Sequence, residues 1–530
     1  MATTSSTHFL NIDFDSNSPL HSFADPEKQA SSKDPSTDAS TLDLDAHWGK
    51  LRSDGECAKA TVDPNIVDWD GRDDPENPIN FSNLTKFTNI GIVSSLAFLT
   101  PLASAMFAPG VPEIMEEFGS SNTLLASFVV SVYVLGFAVG PLILAPMSEM
   151  TGRTNIYHAC NFGFMAFTIA CAVSTDMGML IACRFFQGCF GSAPMTNGGG
   201  TIADLVVQEK RGAALILYTL GIFLGPAVGP VAGGYLVAAK GWRWVFWVLT
   251  MMGGALTIIC LLFMSETYPA VLLKRKTDRL TKETGNTSLR SKYDQGLRTQ
   301  QLFIQAITRP CKLLLFSPIV SSTSVFTGIL YGYQYLMLST FTFVFEDQYA
   351  IPTKSAGLTF LGFGAGSVLG LFVIGSLSDR IVKARSKPTP SSPSGVMKPE
   401  HRLPPLAVGM FFIPAGLFMY GWAAEYKTHW IVPIIGTALV GVGIVSVFMC
   451  MTSYLIDAFG IYAASAVAAN TVVRSFMGAL LPLAGQSMYG ALGLGWGNSL
   501  LGFIAVGCIP VPWVIMKYGE RLRVRFEVKL

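Results

Sequence analysis

After Lys86 the sequence alternates between long apolar runs and shorter polar connections. A bilayer core roughly 30 Å thick needs about 20 apolar residues per helix, and a helix satisfies its own backbone hydrogen bonds in lipid. Twelve runs reach that length, so the pattern predicts an all-α membrane protein with twelve transmembrane helices. The predicted spans cover residues 87–108, 124–146, 156–174, 178–202, 213–238, 244–264, 317–345, 355–376, 404–423, 430–454, 464–487 and 496–516.

Composition supports a membrane protein and sets one region apart from it. Half of the 530 residues are apolar and only 14% are charged, whereas roughly a quarter of a soluble protein's residues are charged. Residues 1–85 differ, because they hold sixteen acidic and six basic residues and few large apolar ones. Such a segment buries too little apolar surface to offset its chain entropy. Residues 1–85 are therefore predicted to form a disordered acidic tail.

The distribution of positive charge predicts the orientation, because loops rich in Lys and Arg stay on the cytoplasmic side. Basic residues concentrate in alternate connections, in residues 265–316 and in residues 517–530, while the first loop on the opposite side is acidic. Both termini are therefore predicted to be cytoplasmic, the last as a basic tail. The basic linker 265–316 divides the spans into two six-helix halves, residues 86–264 and 317–516.

The two halves repeat one short pattern after their second helices. Residues 146–153 read PMSEMTGR, and residues 375–383 read GSLSDRIVK. The pattern resembles the signature loop of the major facilitator superfamily, although Glu149 replaces the usual aspartate. An acid beside one helix end and a base on the next helix can latch the two helices together; the alternative is ordinary loop charge. The candidate gating residues of this pattern are Ser148, Glu149, Gly152, Arg153, Asp379 and Arg380.

A second pattern lies in the fourth predicted span, where residues 184–188 read RFFQG. It is similar to a motif that is associated with proton coupling in relatives within the same superfamily. An arginine inside an apolar helix is costly against lipid, so Arg184 is predicted to face a wet cavity or a partner group. The alternative is that Arg184 extends along its aliphatic stem to the headgroup region.

The fifth predicted span carries the sequence GIFLGPAVGPVAGG at residues 221–234. Glycines four residues apart let two helix backbones approach closely, and prolines kink a membrane helix where its neighbours absorb the change. The sequence resembles the motif characteristic of antiporters in this superfamily, and close packing there would seal a central cavity against leak. The candidate packing residues are Gly221, Gly225, Pro226, Gly229, Pro230, Gly233 and Gly234.

Further segments extend the resemblance along the chain. Residues 70–82, 265–269 and 468–475 read DGRDDPENPINFS, SETYP and AANTVVRS, and they are similar to fungal drug:proton antiporters with twelve spans. The resemblance covers about residues 66–517. It implies the major facilitator fold of two pseudo-symmetric halves, a transport function without an enzymatic reaction, and a monomer as the functional unit.

In such a fold the substrate binds between the halves near the middle of the bilayer, so polar and aromatic residues inside the spans are candidates. Tyr331, Gln334 and Tyr335 share a helix face, which can accept apolar rings; the alternative is that the tyrosines pack between helices. Arg474 lies near the predicted bilayer centre, where contact with lipid is costly. The candidate residues of the substrate and proton pathway are Arg184, Gln187, Asn197, Tyr331, Tyr333, Gln334, Tyr335, Asn470 and Arg474.

The predicted energy source is a proton gradient. The sequence contains no phosphate-binding GxxxxGK[ST] loop and no cysteine pattern typical of a metal site, so no cofactor and no metal are predicted. The acids Glu149 and Asp204 fall near span ends, where they act as gates, as proton carriers or as helix-end anchors. These roles stay open.

These features predict a secondary active transporter that couples proton entry to the export of small amphipathic or aromatic molecules, such as drugs, fungicides or a toxin made by the same cell. The partners are this substrate, protons and the lipid of the plasma or vacuolar membrane, with no nucleic acid. An importer or polyamine carrier of the same fold is an alternative, which the arginines in place of acids disfavour. A membrane sensor that transports nothing is an alternative from another class, but it would need a folded signalling domain. The predicted disorder of residues 1–85 argues against that, although this tail can carry regulatory phosphorylation or a sorting signal.

Overall fold

The computed structural model describes residues 65–71, 73–207, 211–294, 299–385 and 398–526. The predicted disorder of residues 1–64 lies outside these ranges. The helices are α1 (Asn83–Ala105), α2 (Val111–Glu117), α3 (Thr123–Thr151), α4 (Arg153–Ala172), α5 (Met177–Gly191), α6 (Ala193–Leu205), α7 (Arg211–Lys240), α8 (Arg243–Phe263), α9 (Pro269–Thr284), α10 (Thr299–Phe316), α11 (Pro318–Tyr349), α12 (Thr353–Ala356), α13 (Phe360–Arg385), α14 (Pro404–Gly409), α15 (Phe412–Glu425), α16 (Ile431–Phe459), α17 (Ala463–Cys508) and α18 (Pro510–Arg525). Two short strands, β1 (Ile66–Val67) and β2 (Arg290–Ser291), pair in parallel. Short 3₁₀ turns cover Pro78–Asn80, Ala108–Gly110, Gly357–Thr359, Pro399–Arg402 and Gly460–Tyr462.

The described chain is almost entirely helical, and helical residues cover the core of every predicted span. Length and apolar composition qualify eight described helices as membrane spans, or nine if α10 and α11, which meet at 91°, form one span. The count differs from twelve partly because helices break or merge, and partly because α4, an unbroken helix over the third predicted span, does not meet this measure. The predicted fourth span divides into α5 and α6 at Ser192. The eleventh predicted span and most of the twelfth lie in α17, which Gly493 interrupts with a φ of +75°, and the rest of the twelfth lies in α18.

Polar side chains begin several of the apolar helices. Ser82 Oγ accepts the Thr85 amide at the start of α1, and Asn122 Oδ1 accepts the Leu124 amide at the start of α3. The first amides of a helix have no partner within the helix, and a side-chain oxygen supplies one. The polar connections therefore decide where each apolar run becomes a helix.

The two halves pack their helices in matching pairs. In the first half α1 packs on α7 and α3 on α5, and in the second half α11 packs on α17 and α13 on α16. These are the first and fifth, and the second and fourth, predicted spans of each half. The halves meet where α3 contacts α17 and where α7 contacts α13. Each half thus contributes helices to a common central interface.

The glycines of the fifth predicted span face the backbone of α1. A Cβ placed on Gly225 would lie 2.8 Å from the Leu102 amide nitrogen, and one on Gly229 would lie 2.9 Å from that of Met106. Gly221 and Gly233 make similar approaches to α1. Because a side chain would push the helices apart, this spacing of glycines sets the distance between α1 and α7.

A segment before α1 is folded onto the linker. Strand β1 pairs with β2, and Glu76 lies 2.8 Å from Arg279 of α9, so the folded part of the chain begins earlier than the predicted tail boundary at residue 85. The Lys276 ammonium on α9 lies 2.9 Å from a carboxylate oxygen of both Asp70 and Asp74. The end of the bundle that holds Arg153, α9 and this segment is called the basic end below.

Candidate substrate cavity and gate

A narrow cavity of about 30 Å³, room for one or two water molecules, lies between the two halves. Sites for small organic molecules are about ten times larger or more, so the halves must move apart before such a molecule enters. Both halves line it, through α1, α3, α6 and α7 on one side and α11, α16 and α17 on the other. The lining residues are Pro101, Phe137, Met195, Ile222, Phe223, Pro226, Thr327, Leu330, Tyr331, Gln334, Tyr335, Ile444, Val447, Phe448 and Arg474.

Arg474 supplies the only charge among the described lining residues. Its guanidinium carbon lies 4.8 Å from the centre of the Tyr331 ring and 4.7 Å from that of Phe448. The side chain makes no hydrogen bond and no ion pair to the described residues, and its buried Nε has no acceptor. Arg474 therefore presents an unpaired cation to the cavity between two aromatic faces.

The aromatic face predicted on α11 lines the same cavity. Tyr331, Gln334 and Tyr335 all contribute to the wall, and the two tyrosine rings lie 5.1 Å apart. The Tyr335 hydroxyl lies 3.2 Å from Ser104 Oγ on α1, so it joins the two halves. Gln334 makes no hydrogen bond within the described chain, so its amide is available to a ligand. Asn470 lies behind this face, where it accepts a hydrogen bond from Thr327 at 2.5 Å.

Arg184 lies elsewhere, fully enclosed by protein. It donates to the Ala103 carbonyl at 2.9 Å, to the Ser104 carbonyl at 3.3 Å and to Gln187 Oε1 at 3.3 Å. Its guanidinium also lies 4.8 Å from the centres of the Phe107 and Tyr133 rings. None of its surface is exposed. Arg184 therefore faces partner groups inside the protein, as one of the two predictions had it. It does not line the cavity, and its side chain does not extend to the headgroup region.

Three other candidates point away from the cavity. Gln187 donates to Thr168 on α4 at 2.7 Å, and the Tyr333 hydroxyl donates to the Leu501 carbonyl at 3.1 Å. Asn197 Oδ1 lies 3.0 Å from the Ser148 hydroxyl. The first two side chains hold helices together within one half, and Asn197 belongs to a network at the basic end.

That network centres on Arg153, the first residue of α4. Its Nε lies 3.1 Å from Asp204 on α6, and its Nη1 lies 3.3 Å from the Ser148 hydroxyl. The guanidinium also stacks over Tyr268, 5.0 Å from the ring centre. Asp204 and Arg153 are only 14% and 12% exposed. The base of the repeated pattern therefore ties α3, α4 and α6 together with the start of the linker.

Glu266 closes the same turn from the linker side. Its carboxylate accepts the amides of Arg153 at 2.9 Å and Thr154 at 3.2 Å, at the start of α4. A carboxylate at a helix N-terminus pairs with the free amides and the positive end of the dipole. Gly152, with a φ of +101°, lies against this carboxylate with no room for a Cβ. The turn therefore requires both a left-handed backbone and a missing side chain.

The remaining charged residues of the repeated pattern, Glu149, Asp379 and Arg380, form no ion pair among the described side chains. Glu149 is exposed and has no basic partner within ion-pair distance in the described chain. Asp204 and Glu266, and not Glu149, bind Arg153. Arg380 is also exposed, and the side chain of Asp379 lies outside the described residues. In the corresponding place of the second half, Arg402 before α14 lies 2.9 Å from Asp457 at the end of α16.

Sequence reasoning missed part of the site. Phe223 and Phe448 line the cavity, and their rings meet at 5.3 Å across the interface between the halves. An apolar residue in an apolar helix carries no signal that separates a cavity wall from a packing face. Glu266 stands in the SETYP segment, but its contact with α4 spans 113 residues of sequence. Sequence spacing cannot reveal such a contact.

Comparisons with known proteins agree with this architecture. The sequence model of the Major Facilitator Superfamily matches residues 93–482. The MFS-type transporter tndD of Aspergillus flavipes is 68% identical over 92% of this chain and 91% of its own length. The MFS-type transporter penM of Penicillium rubens is 51% identical over 94% and 99%. The efflux pump radE of Floropilus chiversii is 51% identical over 88% and 87%.

A solved structure shows the same fold. The xylose transporter XylE of E. coli, in a partially occluded inward-open conformation, superposes with a TM-score of 0.61 over 82% of this chain and 98% of its own. The identity of 15% restricts this likeness to the fold. The match of the family model and the close fungal relatives go further. The chain is a multi-pass membrane transporter, not an enzyme, and it belongs to the major facilitator superfamily.

Proposed function

We propose that the protein is a proton-coupled efflux antiporter of a fungal cell. It exports small amphipathic or aromatic molecules, such as drugs, fungicides or a metabolite or toxin made by the same cell. In this proposal twelve helices span the plasma membrane, both termini and the basic end face the cytosol, and a monomer transports without a cofactor. The name of the efflux pump radE supports export among the relatives.

The cavity between the halves is the observation that carries the proposal. Its wall combines α1, α3, α6 and α7 with α11, α16 and α17, so a rocking motion of one half against the other opens it. Alternating exposure of such a site to the two sides is how two-half transporters move a substrate. Phenylalanine and tyrosine rings supply most of its large side chains, which suit amphipathic or aromatic cargo.

The glycine contacts support a tight seal on the far side of the cavity. Beyond the cavity, toward the end of α7 at Lys240, Pro230 lies against Gly357, and Ala227 lies against Gly364. Neither glycine has room for a Cβ at these contacts. Such close contact between the halves supports a barrier to protons and water there. Coupled antiport needs such a barrier, because a leak would dissipate the gradient without moving cargo.

The latch at the basic end offers a route for proton coupling. Asp204 pairs with Arg153 at 3.1 Å and is largely buried. Protonation of Asp204 removes the charge that attracts Arg153, which loosens α6 from the turn between α3 and α4. A proton that arrives from outside can therefore favour one conformation of this end over the other. In this proposal Asp204 is the carrier.

The proposal is tested in inside-out membrane vesicles with an imposed gradient, acidic inside. A panel of radiolabelled aromatic and amphipathic compounds is offered to vesicles with and without the protein. We expect at least one compound to accumulate, and we expect the accumulation to vanish when the gradient is collapsed. If no compound accumulates, or if accumulation is independent of the gradient, antiport is wrong.

The role of Asp204 has its own test. Asp204→Asn keeps the size of the side chain but removes the titratable group, so gradient-driven accumulation should fall to the level of vesicles without the protein. Exchange of labelled for unlabelled cargo, which needs no net proton movement, should persist. Asp68→Asn is the control, because it makes the same change of side chain in the exposed 2.6 Å Lys292–Asp68 ion pair beside β1. Equal loss in both variants contradicts a carrier role for Asp204.

The polyamine carrier makes the opposite prediction in the same assay. A polycation binds best beside carboxylates, and none of the described lining residues is an aspartate or glutamate. Accumulation of labelled spermidine in preference to aromatic compounds would favour that alternative. A protein that only senses its ligand would bind a compound without moving any.

A further inference from the structure

Arg474 poses an energetic problem that the protein itself leaves unsolved. The residue is 8% exposed, and no carboxylate or carbonyl of the described chain accepts from its guanidinium. A buried cation without a partner loses the hydration it has in water, and even with aromatic faces on two sides that loss is only partly offset. Buried charges are normally paired in folded proteins.

The groups that surround Arg474 cannot supply a negative charge. The nearest titratable side chains are Tyr331, Tyr335 and Tyr218, and tyrosine has an ordinary pKa of about 10. Tyr218 already donates to the Pro194 carbonyl at 3.0 Å, and Tyr335 contacts Ser104. The charge that complements Arg474 must therefore enter the cavity from outside.

The rest of the wall restricts what can carry that charge. Leu330, Ile444, Phe223 and Phe448 are apolar, and the Tyr331 ring stacks against the guanidinium. A guanidinium holds carboxylates and related anionic oxygens through paired N–H donors. A small inorganic anion would satisfy Arg474 but would leave this apolar surface uncovered. A ligand that combines an anionic oxygen with an apolar ring system satisfies both.

We propose that the cavity binds ring-containing weak acids in their anionic form, with the carboxylate, enolate or phenolate oxygen on the Arg474 guanidinium. This inference names the substrate class of the cavity and rests on the proposed function for the identity of that site. The Gln334 amide, which has no partner in the described chain, donates a further hydrogen bond to the same ligand. Amines are excluded, because a second cation beside Arg474 is repelled.

The test is a binding measurement on the full-length protein in lipid nanodiscs by isothermal titration calorimetry. The probes are 1-naphthaleneacetic acid and 4-biphenylacetic acid, the methyl ester of each, and the amine of each ring system. A charged hydrogen bond in a dry site contributes enough for each acid to bind about tenfold tighter than its ester. As the pH falls through the pKa of the acid, this preference should disappear.

Variants of Arg474 test whether its guanidinium causes the preference for an acid over its ester. In Arg474→Gln the acid and its ester should bind equally, while Arg474→Lys should keep part of the difference. Arg521→Gln removes the same charge from an exposed position near the C-terminus and should keep the whole preference. Thermal unfolding of each variant, followed by tryptophan fluorescence, verifies that it is folded.

Four results would overturn the inference: no acid binds, an ester equals its acid in the wild type, an amine binds best, or Arg474→Gln retains the preference. The measurement uses no gradient. A protein that prefers acids but never accumulates them would refute proton-coupled export and leave the substrate class intact. Gradient-driven export of neutral compounds alone would refute the substrate class and leave proton-coupled export intact.

Discussion

Two buried arginines in this protein occupy opposite environments. Arg184 is fully enclosed and donates to two carbonyls of α1 and to Gln187. Arg474 is nearly as buried, yet it makes no hydrogen bond to the described residues, and its guanidinium lies against the rings of Tyr331 and Phe448. The protein satisfies the first arginine and leaves the second for a ligand. Burial alone therefore does not distinguish a structural charge from a binding charge; the completeness of its hydrogen bonds does.

The comparison also separates the two halves. In the first half two buried charged groups are paired, Arg184 with carbonyls of α1 and Arg153 with Asp204 at the basic end. In the second half the groups that face the cavity, Arg474 and Gln334, are unpaired in the described chain. We infer that the first half supplies the rigid frame and the latch, and that the second half supplies the recognition.

The largest effect is expected from Arg184→Gln. The substitution leaves the Ala103 and Ser104 carbonyls buried without a donor, and it should cost about 3 kcal/mol or more of stability. Folded protein, measured by fluorescence-detected gel filtration and thermal unfolding, should drop sharply. A variant as stable as the wild type would show that Arg184 is not structural, and the contrast between the two arginines would collapse.

A smaller loss is expected from Gly225→Ala, which acts on α1, the helix whose carbonyls accept hydrogen bonds from Arg184. The new methyl group lies 2.8 Å from the Leu102 amide nitrogen and must push α1, with the Arg184 acceptors, away from α7. Overpacking of this kind costs about 1–3 kcal/mol, and the melting temperature should fall accordingly. Gly91→Ala is the control on α1, because a Cβ there meets nothing within 4 Å. Equal melting temperatures for both variants would argue against a tight α1–α7 contact.

Arg474→Gln should leave stability unchanged or raise it by about 1 kcal/mol, because it removes an unpaired buried cation. The same removal of a guanidinium thus has opposite consequences at positions 184 and 474. Thermal unfolding without added ligand is the measurement. A melting temperature that falls as far as in Arg184→Gln would mean that Arg474 has protein partners in the fold, and its role in recognition would need another explanation.

The smallest effect is expected far from both arginines, at Asp74. Burial raises its pKa, but hydrogen bonds from the Asp70 amide, Lys276 and the Glu76 amide outweigh it and lower the pKa from 3.8 to about 2. The stabilisation by this carboxylate is therefore complete above about pH 4 and is lost only as the pH falls toward 2. Between pH 5 and pH 8 it should not change.

Asp74→Asn should speed hydrogen exchange at the Asp70 and Glu76 amides about tenfold, since both lose a charged acceptor. Mass spectrometry of residues 65–82 detects this change. Transport and the melting temperature should stay as in the wild type. A loss of transport would connect the segment before α1 to the cavity, which the present contacts do not.

Much of the fold could be predicted from the sequence, because apolar runs of bilayer length leave few alternatives to a helix bundle. The glycine spacing at residues 221–233 likewise indicated a close helix contact, and that contact is with α1. The environments of Arg184 and Arg474 could not be separated. The cost of exposing an arginine to lipid shows that it does not point to the lipid side of its helix. Whether it points to a cavity or to a partner group depends on how the helix is rotated, which the sequence does not give.

Contacts between distant segments were equally hidden. Acidic composition predicted disorder through Thr85, yet four acidic side chains of this segment pair with basic residues some 200 positions later in the chain. Asp70 and Asp74 pair with Lys276, Glu76 pairs with Arg279, and Asp68 pairs with Lys292. Local composition describes a segment in isolation and omits the surface that it meets. For the same reason the sequence grouped Asn197 with the cavity, although Ser148 draws it into the latch.

The most direct test of the account is the uptake of radiolabelled 1-naphthaleneacetic acid into inside-out vesicles, acidic inside, by wild-type protein and by Arg474→Gln at equal amounts of folded protein. The account predicts gradient-driven uptake by the wild type and background uptake by the variant, although both are folded. Equal uptake by the two proteins would contradict it, because an arginine left without partners would then have no part in carrying the cargo.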